Sequence, residues 1–266
     1  MLQLNGVEKS GAPMPSNPRQ PSESGIYHVL SRGVGRSILF EDERDRTTYV
    51  TTLAEHVTDL EVTTYAWCLM DNHVHLLLRA EMKRLSKLMR TVNSSYTMYF
   101  NGRHDRPGHL FQRRFKSEPV ETDEYFLTVL RYIHQNPLKA GIAESCGYRW
   151  SSWADYQTDG EETPLSVDTS MALDMLGGRD ALVAFFNERD SAPGCLDVGR
   201  GRKAVSDEEA IAVAKEALGP ISLGRVKGLA RDRRNQMLRT LRESGLSIRQ
   251  IERLTGVSRN VVQRCG

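Results

Sequence analysis

Two histidines one residue apart stand in a long apolar run, which constrains the fold more than any other segment. The run reads Trp-Cys-Leu-Met-Asp-Asn-His-Val-His-Leu-Leu-Leu over residues 67–78. Successive side chains of a strand point to opposite faces, so His73 and His75 share one face while Val74 and Leu76 share the other. The apolar face requires a hydrophobic core. Two imidazoles on the opposite face could hold one metal ion, although such pairs are as often structural.

Hydrophobic spacing predicts the element order β-α-β-β-α-β-α around this run. The turn dipeptide Asp71-Asn72 joins the two middle strands into a hairpin, and Pro137 is expected to stop the last helix. The predicted elements are strand 25–32, helix 42–59, strands 61–70 and 73–79, helix 85–100, strand 111–121 and helix 123–134. The first six match the ferredoxin-like split βαβ pattern, an antiparallel sheet with two helices. The fold class is therefore α+β, with one extra helix.

Composition shifts divide the chain into four predicted segments. Residues 1–24 are polar and are expected to form a disordered tail, and residues 25–156 hold the α+β domain. An acidic helical connector and linker follows over 157–203, and 204–266 form a separate helical region.

The last part of the chain has the spacing of a helix-turn-helix. A basic helix covers residues 233–243, Ser247 caps a short helix, Gly256 makes a turn and Ser258 starts a final helix. A plain helical hairpin is the alternative. The final helix favours DNA because its side chains are of the types that read base edges and phosphates. Those side chains are Arg259, Asn260 and Gln263.

The formal net charge of +2 conceals strong segregation. Residues 79–116 hold ten Lys or Arg against two acids, 155–198 hold ten acids against two Arg, and 199–266 hold fifteen Lys or Arg against seven acids. Basic blocks are often only solvated faces, but their restriction to two segments favours a polyanionic partner.

Membrane and secretory classes are not expected. No apolar run approaches the roughly 20 residues that a membrane span needs, and the N-terminal segment has no apolar core of a signal peptide. The four cysteines are scattered, which argues against a zinc ribbon or a disulfide framework and fits a reducing cytoplasm.

A metal site on the histidine face needs a third group, and the third helix offers one. Tyr132 and Asn136 lie one turn apart on one face of that helix. Its apolar residues would press it onto the sheet, and these two side chains could then reach the histidines. A tyrosine beside an apolar face is more often a packing residue, so only the combination supports chemistry.

Three motifs in this order resemble the single-tyrosine transposases of the HUH superfamily, and most of all the REP-associated tyrosine transposases of bacteria. They read Leu-Met-Asp-Asn-His-Val-His-Leu-Leu-Leu over 69–78, Gly-His-Leu-Phe-Gln-Arg-Arg-Phe-Lys over 108–116 and Tyr-Ile-His-Gln-Asn-Pro-Leu-Lys-Ala-Gly over 132–141. The resemblance covers roughly residues 25–153, about half of the chain, and implies the same sheet with an added tyrosine-bearing helix.

The resemblance also implies the roles of the site residues. Tyr132 falls on the nucleophile, His73 and His75 on metal ligands and Asn136 on a third ligand, for which His134 is a competitor. The implied ion is Mg²⁺ or Mn²⁺, and imidazole ligands lean toward Mn²⁺. A phenol titrates near pH 10 and must be deprotonated or aimed before it attacks.

The implied reaction is cleavage and strand transfer of single-stranded DNA beside a hairpin, in DNA transposition. It passes through a covalent 5′-phosphotyrosine and releases a 3′-hydroxyl. The expected setting is a bacterial cytoplasm, associated with the nucleoid, with the protein acting as a monomer or homodimer.

Basic side chains of the α+β domain are candidates for phosphate contacts, with solvated surface as the alternative. They are Arg32, Lys83, Arg84, Lys87, Arg90, Arg113, Arg114 and Lys116. His109 and Phe111 could stack on unpaired bases.

Three other functions remain open at this point. A relaxase or replication initiator would use the same chemistry, often with a second tyrosine or a helicase partner. A non-enzymatic DNA-binding regulator would need no intact tyrosine or metal set. A small-molecule metallohydrolase would need a zinc set with an added acid or histidine.

Overall fold

A computed structural model describes residues 19–158, 165–188, 195 and 207–265. Its centre is a four-stranded sheet with the order β2-β3-β1-β4, in which every neighbouring pair is antiparallel. The strands are β1 (Ile26–Arg32), β2 (Thr63–Met70), β3 (His73–Arg79) and β4 (Lys116–Pro119).

Ten α-helices are present in the described part of the chain, and no described helix meets the length and hydropathy that a membrane crossing requires. Those of the first part are α1 (Glu43–Asp59), α2 (Met82–His104), α3 (Asp123–Lys139), α4 (Trp153–Gln157), α5 (Ser170–Leu176) and α6 (Arg179–Asn187). The later ones are α7 (Asp207–Leu218), α8 (Arg231–Glu243), α9 (Ile248–Thr255) and α10 (Arg259–Arg264). Short 3₁₀ turns cover Val34–Arg36 and Leu223–Gly228.

The sheet is buried on both faces, and successive side chains of each strand point alternately into two cores. One core packs α1 and α2 against Val29, Val74 and Leu76. The other packs α3 against Ile26 and Leu77, and α4–α6 add to it. The α+β class and the split βαβ sheet with an added third helix are confirmed.

Element boundaries differ from the predictions at three places. Helix α2 runs to His104 rather than ending at residue 100, and β4 covers only Lys116–Pro119 of the predicted 111–121. Helix α3 continues through Pro137 to Lys139, so the predicted stop was wrong. Proline removes one N–H donor, but the carbonyl of Asn136 still accepts from Ala140 at 3.0 Å and the last turn closes.

The 3₁₀ turn after β1 is held against the β2–β3 hairpin. Gly33 donates its N–H to the carbonyl of Asn72 at 2.9 Å, and Val34 donates to the carbonyl of Leu110 at 2.9 Å. A Cβ at position 33 would lie 2.0 Å from the carbonyl oxygen of Ser37, so only glycine fits there.

Helices α7–α10 form a third core, which includes Ile38 from the α+β part. Ser247 and Gln250 form a capping box at α9, and Gly256 (φ 68°) makes the turn to α10. The predicted helices and the turn at Gly256 are therefore present in this order. Within the predicted acidic connector and linker, residues 159–164, 189–194 and 196–203 lie outside the described residues.

Part of the predicted N-terminal tail contacts the sheet. Arg19 lies over the ring of Phe115 at 3.8 Å, and Ser24 donates to the carbonyl of Val120 at 2.6 Å. Residues 1–18 lie outside the described residues.

Candidate active site

Three imidazoles meet on the face of the sheet that α3 covers. His73 and His75 project from β3 with ring centroids 4.9 Å apart. His28 projects from β1, and its ring stacks on that of His75 at 5.2 Å. Alternation along both strands puts these rings on one face and the apolar residues Val29, Leu76 and Leu78 on the other.

Hydrogen bonds define which nitrogen of each ring is available. Nδ1 of His73 lies 2.6 Å from Oδ1 of Asn72, and Nδ1 of His75 lies 2.9 Å from Nε2 of His28. An amide oxygen accepts only, so Nδ1 of His73 carries its proton. Either ring can donate in the contact between His75 and His28; when Nδ1 of His75 donates, its Nε2 presents a bare lone pair, as Nε2 of His73 does. Both Nε2 atoms are buried with no hydrogen-bond partner.

Burial keeps these imidazoles neutral. It lowers the pKa of His73 to about 3, helped by the charges of Arg32 and Arg36, and lowers the pKa of His28 to about 3. The pKa of His75 is held well below its ordinary value by burial and by the neighbouring imidazoles. Neutral imidazole is the form that binds a metal ion, so no proton has to be displaced at neutral pH.

Helix α3 brings a phenol to the same place. The ring of Tyr132 lies edge-on to His75 at 5.5 Å and to His28 at 5.8 Å. It keeps 9% exposure whereas His75 has none. Nζ of Lys139 lies 5.0 Å from the centre of the phenol ring. The predicted meeting of tyrosine and histidines is thus present in the geometry.

The two candidates for a third ligand have different surroundings. Asn136 is half-buried, and its Nδ2 has no hydrogen-bond partner. Both ring nitrogens of His134 are used, Nδ1 beside the carbonyl of Leu130 at 3.0 Å and Nε2 beside Oγ of Ser152 at 2.9 Å. His134 also packs against the rings of Trp153, Tyr156 and Phe186, so it is a core residue rather than a ligand.

The predicted phosphate-contacting residues fall into separate groups. Arg32 pairs with His73 across β1 and β3 and lies at the site. The four on α2 lie in the layer on the opposite face of the sheet, and Arg84 there forms an ion pair with Glu61. Those four are Lys83, Arg84, Lys87 and Arg90.

The segment before β4 forms an exposed groove of about 540 Å³ beside the 3₁₀ turn. His109, Phe111 and Arg113 line it together with Val34. Arg113, Arg114 and Lys116 are exposed, and only Lys116 belongs to the strand itself. The residues predicted to stack on bases and to contact phosphates therefore share one surface here.

Two residues of the site were missed by sequence reasoning. His28 lies in a strand 47 positions before His75, and only the β1–β3 register brings them together. Asn72 was interpreted as a turn residue, although it also fixes the tautomer of His73. A histidine among alternating apolar residues of β1 was the available signal for the first, but strand register is not readable from one sequence.

The donor set fits a divalent ion with few protein ligands. Among the described residues no group of three or more His, Cys, Asp or Glu side chains could hold a metal. Nε2 of His73, Nε2 of His75 and Nδ2 of Asn136 nevertheless have no hydrogen-bond partner, and an amide oxygen is a hard ligand. Such a set leaves several coordination positions open for phosphate oxygens or water.

Comparison with known proteins identifies the region that holds this site. Residues 22–136 match the model of a family described as "Transposase IS200 like". This segment contains all four strands, and it ends at Asn136. No curated protein matches the chain.

Solved structures with some likeness are of low identity. A REP-associated tyrosine transposase bound to a REP hairpin is 15% identical, with a TM-score of 0.45, covering 59% of this chain and 94% of that one. A transposase from Deinococcus radiodurans R1, described as putative in its own record, is 19% identical, with a TM-score of 0.33, covering 46% of this chain and 97% of that one.

Proposed function

We propose a metal-dependent DNA nicking and strand-transfer activity with Tyr132 as nucleophile, because residues 22–136 match the model of the IS200-like transposase family and hold the site described above. The substrate is single-stranded DNA beside a hairpin. The observation that carries the proposal is the pair of buried, unpartnered Nε2 atoms of His73 and His75, with the ring of Tyr132 from another element centred 5.5 Å from the ring of His75. Buried polar atoms without partners are rare in packed cores and cluster at functional sites.

The reaction balances as a transesterification. The phenol oxygen of Tyr132 attacks the phosphorus, its proton leaves, and the P–O3′ bond breaks. The 3′ oxygen takes up a proton to become a hydroxyl, and the 5′-phosphate stays on the tyrosine. The bond energy is kept for the reverse attack by a 3′-hydroxyl, which rejoins strands.

Residues around the phenol support this role. Lys139 places a positive charge 5.0 Å from the ring, where phenolate charge must form. Arg32 lies beside His73 and supplies a cation for the scissile phosphate. Because Tyr132 covers the imidazoles, we expect its side chain to shift when a phosphate enters.

A divalent ion, Mg²⁺ or Mn²⁺, would be held by Nε2 of His73, Nε2 of His75 and the side chain of Asn136, and would stabilise charge on the phosphate oxygens. Both imidazoles are neutral, and Asn72 fixes the tautomer of His73, so these nitrogens are ready ligands.

Helices α8–α10 are proposed to bind the same DNA. Arg259, Asn260 and Gln263 are exposed on α10 and available for contacts. The four predicted segments, the cytoplasmic nucleoid setting and a monomer or homodimer remain parts of this proposal.

The test is formation of a covalent adduct between the full chain and labelled single-stranded DNA that carries hairpins, with Mn²⁺ or Mg²⁺. We expect an adduct in the wild type and none in Tyr132→Phe, because phenylalanine keeps the ring and removes the attacking oxygen. Tyr125→Phe, two turns earlier on α3, is the matched control and should keep the adduct.

Each alternative gives a different result. An adduct that persists in Tyr132→Phe and disappears in Tyr125→Phe would contradict the nucleophile assignment. Hairpin binding with no adduct in the wild type, whichever ion is added, would favour a DNA-binding regulator.

A further inference from the structure

A second groove lies on the other side of the 3₁₀ turn, between the α+β domain and helices α9 and α10. It holds about 320 Å³. One wall is the turn itself with Val34 and Gly35, and the other comes from the helical region. Its charged residues are Arg106, Arg249, Arg253 and Arg259 against the single acid Glu252.

Arginines outnumber acids in the lining of this groove by four to one. Glu252 forms an ion pair with Arg259, so the one acid of the groove already has a partner. Arg249 is exposed on α9, and no described residue forms an ion pair with it. Arg106 is half-buried and likewise has no ion pair among the described residues, and burial lowers the pKa of its guanidinium more than the charge of Glu41 raises it. A half-buried cation whose lost water is only partly compensated by a carboxylate favours an anion from outside.

The 3₁₀ turn links this groove to the candidate active site. Arg36, in the same turn, is close enough to His73 for its charge to lower the pKa of that imidazole. A Cβ on Gly35 would lie 4.0 Å from Cγ of Arg253, so the turn and α9 are in contact. Val34 also borders the groove that holds Phe111 and Arg113. The turn thus stands between the imidazoles and the helical region, with arginines on both sides.

We propose that this groove binds the phosphate backbone of the DNA, so that one DNA molecule is held by the helical region and presented to Tyr132. The proposal deepens the function proposed above and rests on it for the identity of the anion. Guanidinium groups suit phosphate because their planar forks donate two hydrogen bonds to adjacent oxygens. Contacts of this kind position DNA and carry no sequence information.

The experiment measures the dissociation constant of the full chain for a DNA hairpin with single-stranded flanks, across a series of salt concentrations. We expect Arg106→Gln combined with Arg249→Gln to weaken binding about 10-fold. The slope of log K against log salt should fall by about 1 to 2, since each lost phosphate contact removes roughly 0.7–0.9. Hairpins of different sequence should lose affinity equally.

Arg44→Gln is the matched control, because Arg44 is an exposed arginine of α1 outside the groove and outside the helical region, and it should leave both quantities unchanged. Arg249→Glu is a second variant at an exposed position, and it should weaken binding by at least the same factor even if the double variant melts early. Unchanged affinity and slope in Arg249→Glu and in a folded double variant would overturn the proposal.

The adduct assay on the wild type keeps this test separate from the function. A wild type that forms no adduct, while the groove variants lose binding, would refute the strand-transfer chemistry and support the groove. If the wild type forms the adduct and the groove variants bind DNA as tightly as the wild type, the strand-transfer chemistry is supported and the groove proposal is refuted.

Discussion

The two faces of the sheet are buried alike but differ in chemistry. On the α1–α2 face, Val29, Val74 and Leu76 are fully buried and apolar. On the α3 face, the strand positions between them hold His28, His73 and His75. Burial of apolar area on the first face stabilises the fold, whereas burial of polar rings on the second face costs folding free energy. Burial alone therefore does not distinguish a hydrophobic core from a buried polar site.

Hydrogen bonding distinguishes the histidines proposed as ligands from two other buried histidines of the same molecule. His104, on α2, lies 2.9 Å from Oδ2 of Asp45, and His134 uses both of its nitrogens. His73 and His75 each use Nδ1 and leave Nε2 without a partner. All four rings are buried, so the unused nitrogens rather than the burial mark the site.

The largest effect that we expect is a loss of stability after a substitution on the apolar face. Leu76→Ala removes a fully buried side chain from the core under α1 and α2. We expect the free energy of unfolding to fall by about 2–5 kcal/mol, through lost burial and a residual cavity. Urea denaturation of the metal-free protein measures it. A loss below about 1 kcal/mol would show that this face is not the main core.

A substitution on the α3 face should lower activity rather than stability. His73→Leu replaces a ring with an unpartnered nitrogen by an apolar side chain, so its free energy of unfolding should stay within about 1 kcal/mol of the wild type. The rate of adduct formation with Mn²⁺ should fall about 100-fold or more, since a ligand is lost. Single-turnover kinetics and the same urea denaturation measure the two quantities.

His73→Leu also has a clear contrary outcome. If stability falls by several kcal/mol while the adduct forms at the normal rate, the imidazole is a structural group. The two faces would then not differ in the way described.

The smallest effect is expected at His28, which contacts His75 rather than the proposed ion. His28→Leu removes the acceptor for Nδ1 of His75 and should weaken Mn²⁺ binding about 10-fold. His28→Gln keeps an acceptor oxygen and should retain more of the affinity. Electron paramagnetic resonance of free Mn²⁺ measures both. Equal affinity in Leu and Gln variants would show that the hydrogen bond to His75 does not matter.

Much of the fold was predictable because its signals are local. Alternation identified β3 and its two faces, and helical spacing identified α1, α2 and α3. The end of α3 was not predictable from Pro137, because one missing donor close to a helix end costs little once the preceding turns are packed against the sheet. The predicted fourth strand was too long because Arg113 and Arg114 belong to an exposed loop before β4.

The candidate site was only half predictable. The spacing of His73, His75, Tyr132 and Asn136 follows from strand and helix periodicity plus one packing assumption. His28 depends on the pairing of β1 with β3, which is long-range. The groove at Arg106 and Arg249 joins segments about 140 residues apart, and no local pattern indicates it.

The central claim is that Tyr132 attacks DNA beside the two unpartnered imidazole nitrogens. Digestion of the adduct from wild-type protein and a labelled hairpin oligonucleotide, followed by mass spectrometry of the nucleotide-bearing peptide, tests it most directly. We predict a nucleotide with a 5′-phosphate on Tyr132 within the peptide that spans the middle of α3. A modified Tyr125, or a modified peptide from any other element, would contradict the claim.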